Sequence, residues 1–498
     1  MINIYFLDQY QRDQIGFTYI INQLEVITPL GDKLRKNIKP FNESSKHLLI
    51  DELNNIESII NNYIPSKQLF KNIERLFCKI KDISNSLIRC ENGSPLDDVE
   101  LFEIKNFALV IYELRECFNE LNLELHLKDI NFISLEPVIN LLDPEGKKLP
   151  TFHIYDKYSD KLKEIRNKKR SIEKEIFTSS DETSITSLKE KRLSYVILEE
   201  DEELNIRKSL SNNIKNYIDI IRENIRSVGK LDFLIAKSKL AITLNGSRPT
   251  ISDSMYIKII DGVNPEVASI LKKKSKIFTP VTIEIASGTT VITGANMGGK
   301  SITLKTLVLN ILLTQMGFFV FCNEATIPLL DFIYFISDDL QSVHQGLSTF
   351  GAEIMKLKQV LAHSKNKNGL ITLDEFARGT NPKEGSFLVK SLCKYLNKLQ
   401  SISLISTHYD NIVDSTMVHY QVVGLKHLSF DSLKKRIDLN KTHSIEIIQD
   451  HMNYRLERVS KENNVPKDAL NICILLGLEE EIIEIAKNLY NQSLEEGD

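Results

Sequence analysis

At 498 residues the chain exceeds what one compact core holds, so two or three domains are expected. Its 42% hydrophobic and 26% charged residues are those of a soluble globular protein, and the net charge of −4 gives no bulk sign of nucleic-acid binding, although a local basic groove would suffice. No run approaches the ~18 apolar residues of a membrane span, and the opening Met-Ile-Asn-Ile-Tyr-Phe-Leu-Asp lacks a basic signal-peptide start, so a cytoplasmic protein with no membrane partner is expected. Cys78, Cys90, Cys117, Cys322, Cys393 and Cys473 form no C-x-x-C pair, which argues against a zinc site or a disulfide framework.

Residues 1–150 read as a helical core domain. Leu53 to Ile60 and Phe107 to Leu114 have helical spacing, punctuated by Pro40, Pro65, Pro95 and Pro137. The loop Leu142 to Pro150 marks a boundary. Residues 151–245 read as long lever or arm helices. One carries Leu162, Ile165, Ile172 and Ile176 on a stripe, with Lys169 at one seam position. A polar break, Thr178 to Ser187, separates it from a second helix through Leu210, Ile214, Tyr217, Ile221, Ile225, Val228 and Ile235, which suggests an antiparallel arm. Lys157 to Glu175 holds eight Lys/Arg against four acids. That is either a solvated face with i,i+4 pairs or a nucleic-acid contact face. The acidic run Glu199 to Glu203 reads as a solvated turn.

From 246 to 430 short β-rich runs alternate with helices: Val281–Ile285, Thr289–Thr293, Phe332–Ile336, Leu370–Leu373 and Ile402–Ser406. This predicts an α/β domain with a largely parallel sheet. The strand ending at Thr293 runs into Gly294, Ala295, Asn296, Met297, Gly298, Gly299, Lys300 and Ser301, and a helix follows to about Met316. This is the P-loop spacing in its required strand–loop–helix context. Backbone N–H groups and the helix N-terminus would cradle the phosphates of ATP or GTP, Lys300 would supply charge, and Ser301 would ligate Mg²⁺. The strand Gly369 to Leu373 ends in Asp374 and Glu375. Two adjacent acids at a strand tip suit division of labour, Asp374 holding the metal and Glu375 polarising a water. His408 follows a further strand and would sense the γ-phosphate or orient that water. Residues 431–498 read as a strand and a helix pair, Val465–Leu475 and Leu478–Tyr490, serving dimerisation or packing rather than DNA reading, because the second helix is acidic.

Four ordered motifs, Gly294 to Ser301, Gly346 to Glu353, Leu373 to Thr380 and Ser406 to Tyr409, resemble the MutS family of ABC-type ATPases over about residues 225–430, and Arg226 to Leu234 is similar in character to that family's lever. The resemblance implies a mixed fold: an all-α N-terminal core and lever helices, a C-terminal α/β P-loop ABC-type ATPase domain and a helical dimerisation tail. It also implies ATP and Mg²⁺ as cofactors, and a homodimer or a related MutS-like subunit completing each site in trans. Ser348 and Thr349 would then reach the partner's nucleotide. Asp338 and Asp339 would help to shape the site, Arg378, Gly379 and Thr380 would couple the two sites, and Phe278 would stack on adenine. Ala295 stands where the family usually has Pro, and Asn264-Pro265 replaces a common His-Pro. Phe41-Asn-Glu43 and Phe118-Asn-Glu120 match the mismatch-reading Phe-x-Glu pattern but not its strand-rich context. The chain is expected to lack mismatch-reading and connector domains and the nuclease-like tail of the recombination-suppressing branch.

Three functions follow. By family default the chain is a clamp on mismatched or branched DNA. Alternatively, His153 to Ser159 and Val465 to Ile472 are similar to MutS-like proteins associated with cobalamin-dependent aminomutases, which implies an ATP-driven reactivator with an aminomutase as partner. A nucleotide-binding structural protein is disfavoured because Asp374 and Glu375 are both present.

Overall fold

The computed structural model describes residues 6–294, 299–337, 349–365, 367–425, 451–459, 473–474 and 476–495. Two compact units emerge, and they do not follow chain order. One comprises residues 25–38 and 54–239; the other comprises residues 1–24, 39–53 and 240–498.

The first unit is helical. Its Asp98–Leu125 helix starts on a capping box, in which Asp97 accepts from the Glu100 N–H at 2.8 Å and Glu100 from the Asp97 N–H at 3.0 Å. Leu101, Ile104, Ala108, Ile111, Phe118 and Leu121 recur at helical spacing and are all buried. Phe118 packs edge-on against Phe132 with ring centroids 5.0 Å apart, which makes it a core residue and not a wedge. Asp232 accepts bonds from the Ile27 N–H and from the N–H and hydroxyl of Thr28, at 3.1, 2.7 and 2.7 Å. Three donors compensate this buried carboxylate, as burial demands.

The arm consists of the helices Asp160–Thr178 and Glu182–Ile214. Lys161 pairs with Glu202, Arg166 with Glu199 and Glu203, and Glu173 with Arg192. As one number rises the other falls, so the helices run antiparallel. Glu199 to Glu203 is therefore not a solvated turn but one side of a helix–helix seam, recruited by cations some 30 positions away in the chain. Lys169, the polar seam residue, meets Glu199 there. The long helix expected through Leu210 to Ile235 is two helices, Glu182–Ile214 and Ile218–Thr243, joined by a 3₁₀ turn at Lys215–Tyr217. The tighter turn resets the phase, so Ile218, and not half-buried Tyr217, enters the core.

The second unit holds two sheets. The strands are β1 (Thr250–Ser252), β2 (Tyr256–Gly262), β3 (Val281–Ala286), β4 (Gly288–Thr293), β5 (Glu324–Pro328), β6 (Phe332–Ile336), β7 (Gly369–Asp374), β8 (Ile402–Ser406), β9 (Val418–Gly424) and β10 (Asn453–Arg458). The larger sheet has the order β10-β9-β4-β8-β7-β6, parallel except for β10 on β9. β4, β6, β7 and β8 are buried throughout, which is why they read as continuous apolar runs. β3 alternates buried and exposed residues and pairs antiparallel with β2 in a separate sheet, β1-β5-β2-β3, so Val281–Ile285 does not join the parallel sheet. The helix Lys300–Gln315 packs against strands of both sheets and is buried almost all round. Its Asn310 is satisfied there: its amide donates to Val263 O (3.2 Å) and it accepts from the Phe321 N–H (2.7 Å).

The outer edge of β6 is met by the start of the chain. Phe6 forms a parallel bridge with Ile333, and the Gln11 amide donates to Phe335 O. Phe41 is tied to the same unit by its N–H to Gln315 O at 2.7 Å. No helix among the described residues is long and apolar enough to cross a membrane, and all six cysteines are free thiols.

Candidate nucleotide site

Strand register builds the site. Asp374 on β7 and Ile292 on β4 both lie opposite Ser406 on β8. The loops after Thr293, Asp374 and Ser406 therefore leave one edge of the sheet side by side, at the carboxyl ends of parallel strands. Two glycines let the first loop turn. Gly294 (φ 139°) and Gly299 (φ 79°) are in the left-handed half of conformational space. A Cβ would meet Val422 at 3.0 Å in the first case and the Tyr454 ring at 3.1 Å in the second. Gly299 N-caps the Lys300–Gln315 helix, whose first N–H groups and dipole face the site.

The side chains converge. Lys300 is 3% exposed, its ammonium 2.8 Å from Gly294 O and 3.3 Å from a Glu375 carboxylate oxygen. Burial lowers its pKa, and Glu375 opposes that shift. The other Glu375 oxygen accepts from Arg378 at 3.0 Å. Asp374, 6% exposed, accepts from the Ser406 hydroxyl at 2.6 Å and from Ser301. Burial raises its pKa in spite of both hydroxyls. The Glu375 N–H donates to Ser406, to the hydroxyl at 3.0 Å and the carbonyl at 3.2 Å. Glu375 has φ 48° and Ala377 φ 64°, conformations a non-glycine residue holds only when its surroundings impose them.

His408 rides at the solvent rim of the site. Loss of hydration lowers its pKa, while Glu375 draws it the other way, so the imidazole is neutral near pH 7. Arg378, Gly379 and Thr380 form the turn that leads into the helix Pro382–Leu396, which Asn381 caps. Phe278 is half-buried in the loop before β3. Asn264 caps the helix Pro265–Lys273 and its amide donates to Ile15 O at 3.0 Å, so it is structural. Ala295, Asn296, Met297, Gly298, Asp338, Asp339 and Ser348 lie outside the described residues, as do the Thr349 side chain and nearly all of Val465–Leu475.

Sequence reasoning had no role for Ser406, which links the two acids, or for Glu353, whose carboxylate accepts from the Ala377 N–H at 3.1 Å. Nor did it single out His419, whose ring shares a 2.8 Å bond with the Thr293 hydroxyl at the entry to the glycine loop. The only available signal was that Ser406 and Glu353 sit within quoted motifs.

The donor set fits a divalent cation. A hydroxyl (Ser301) and a carboxylate (Asp374) meet in a buried place, the hard oxygen ligands magnesium takes beside phosphate oxygens. Asp374 also yields a stability prediction. A carboxyl whose folded pKa is raised contributes stability below its unfolded pKa, and loses it as pH rises through the folded pKa. At neutral pH without ligand the ionised group is therefore a cost. Asp374→Asn, which keeps an acceptor for the hydroxyls and has no charge to desolvate, is expected to raise the melting temperature in EDTA. It is also expected to erase the further stabilisation given by magnesium with nucleotide. A lowered melting temperature in EDTA would contradict this account.

Residues 290–484 match MutS domain V. The chain is 32% identical over 298 residues to Endonuclease MutS2 of Halothermothrix orenii, covering 58% of this chain and 34% of that protein. It is 27% identical over 468 residues to Endonuclease MutS2 of Caldanaerobacter subterraneus, covering 82% of this chain and 56% of that protein. With the enzyme of the same name from Ruminiclostridium cellulolyticum it shares 34% identity over 206 residues, 41% of this chain and 25% of that protein. The chain thus matches between a quarter and just over half of the length of these relatives. The domain match begins within β4, just before the glycine loop, and runs through Lys300, Asp374, Glu375 and His408, so the converged residues all fall within the part of the chain that is similar to MutS domain V.

Proposed function

We propose that this protein is a magnesium-dependent ATPase whose nucleotide cycle drives a dimeric clamp on DNA, at mismatched or branched structures. The observation that carries it is the meeting of Lys300, Ser301, Asp374 and Glu375 at one sheet edge. Lys300 and the helix N-terminus hold the β- and γ-phosphates. Ser301 and Asp374 hold the metal, which when bound draws charge from the phosphate oxygens. Glu375 accepts a proton from the attacking water, and Ser406 fixes its backbone for that task. His408, neutral and at the rim, orients that water or senses the γ-phosphate.

Each site is completed in trans by Ser348 and Thr349 of a second copy or of a related subunit, with Arg378, Gly379 and Thr380 as the coupling turn. Self-association is supported by the Glu480–Glu495 helix, where Ile482, Ile485 and Leu489 form an exposed stripe at helical spacing, with exposed Leu478 just before it. A cytoplasmic location accords with this reading. DNA as client is supported by the name Endonuclease carried by the relatives. On the arm itself, Lys161, Arg166 and Lys169 are engaged by acids, so DNA contact there would rest on exposed Lys163, Arg170 and Lys174.

The test is steady-state ATPase activity with homoduplex, mismatched and four-way-junction DNA at two salt concentrations. Rate changes with one DNA form that fade with salt are expected, because phosphate contacts release counterions. Intact basal turnover indifferent to every DNA would overturn the DNA client and move the assignment to a protein remodeller, with a cobalamin-dependent aminomutase tested next.

A further inference from the structure

The Thr349–Ser364 helix packs on the large sheet through Phe350, Ile354, Leu357 and Leu361. Glu353 lies on that inward stripe and is 3% exposed. An acid in an apolar seam needs a donor, and it has one: the Ala377 N–H, 3.1 Å away. The carbonyl of the same residue accepts from the Tyr409 hydroxyl at 2.9 Å. Both polar groups of Ala377 are thus gripped by side chains from other elements, one from the Thr349–Ser364 helix and one from the loop after β8. Ala377 is in the left-handed region at φ 64°, two residues after Glu375, itself at φ 48°. Between them Phe376 is buried in the core cluster, so this turn has little freedom except to move with its anchors. Space is also short: a Cβ on Gly385 would fall 2.4 Å from the Tyr409 oxygen and 3.1 Å from Ala377 O.

We propose that Glu353 is a positioning residue: by holding the Ala377 N–H it fixes the strained turn that aims Glu375, and so ties the catalytic acid to the helix whose first turn carries Thr349. This rests on the ATPase reading. It adds that a shift of that helix is delivered to Glu375 through the buried Glu353–Ala377 hydrogen bond, with Tyr409 holding the carbonyl of the next peptide, on the other side of the Ala377 Cα.

The test uses the full chain with two changes at Glu353 and one at Tyr409. Glu353→Leu conserves volume but removes the acceptor. It is expected to lower kcat by about 10–100-fold, the scale of an ångström-level misplacement, with KM and the Kd for ADP within about threefold, since the phosphate-binding residues are untouched. Glu353→Gln keeps an acceptor oxygen and is expected to restore most of the rate. Tyr409→Phe is expected to lower kcat by roughly three- to tenfold, a smaller misplacement because one anchor survives, again without loss of ADP affinity. Melting curves identify any variant that fails to fold; if Glu353→Leu fails, the Gln and Phe variants decide. Full kcat in folded Glu353→Leu or in Tyr409→Phe overturns the proposal. A folded Glu353→Gln as slow as Glu353→Leu also overturns it, because charge rather than the hydrogen bond would then be what matters. If the wild type itself hydrolyses no ATP, it is the ATPase reading that has failed.

Discussion

Glu375→Gln is expected to retain nucleotide binding and to lose turnover by about 10²–10⁴-fold, the usual value of a positioned general base. The argument is geometric. The substitution keeps the size of the side chain, the backbone bonds to Ser406 and the Ser301–Asp374 pair. It removes only the group that can accept a proton from water. The carboxylate lies between Lys300 at 3.3 Å and Arg378 at 3.0 Å, so the amide also releases two cations. Bound phosphates supply counter-charge for Lys300, and ADP affinity is therefore expected to stay within about threefold while kcat falls. Single-turnover hydrolysis together with ADP titration checks this. Turnover at the wild-type rate would remove Glu375 from its assigned role.

Lys300→Ala is expected to do the reverse and strike at binding. Its ammonium is buried, aligned by Gly294 O and at the head of a helix whose dipole favours anions. Removing a buried, hydrogen-bonded charge from a charged complex costs about 2–5 kcal/mol, roughly 30- to several-thousand-fold in Kd. Calorimetric titration with ADP and with the nonhydrolysable triphosphate measures it. Affinity unchanged within about threefold would mean that the nucleotide does not sit on this loop.

Local features were readable in the chain and remote ones were not. The strand–glycine–lysine–helix run and the Asp374-Glu375 pair are contiguous, and the chemistry each suggests depends on neighbours within a few residues. The mixed helical and α/β character followed from the switch between helical spacing and short apolar runs. Three things escaped for a common reason. Glu199 to Glu203 reads as solvated because its partners, Lys161, Arg166 and Lys169, lie 30 to 41 residues away. Val281–Ile285 reads as one more run of a largely parallel sheet because antiparallel pairing with β2 leaves no mark beyond alternation. Ser406 and Glu353 act on backbone N–H groups, and a backbone donor carries no letter in the sequence.

The contact between the chain's beginning and β6 bears on how the molecule is made. Phe6 meets Ile333, and Gln11 meets Phe335, across more than 320 positions. At ribosomal rates of roughly 5–20 residues per second, the first segment waits on the order of 15–65 s for its partner to emerge. During that interval Phe6, Leu7 and Ile15, all buried in the finished protein, have no core to enter. The second unit is thus completed late in synthesis, after the helical unit's last residue, Lys239, has already been made. A nascent chain stalled before β6 would display Phe6, Leu7 and Ile15 to chaperones, and the sheet's outer strand would gain its cover only from a segment translated roughly 15–65 s earlier.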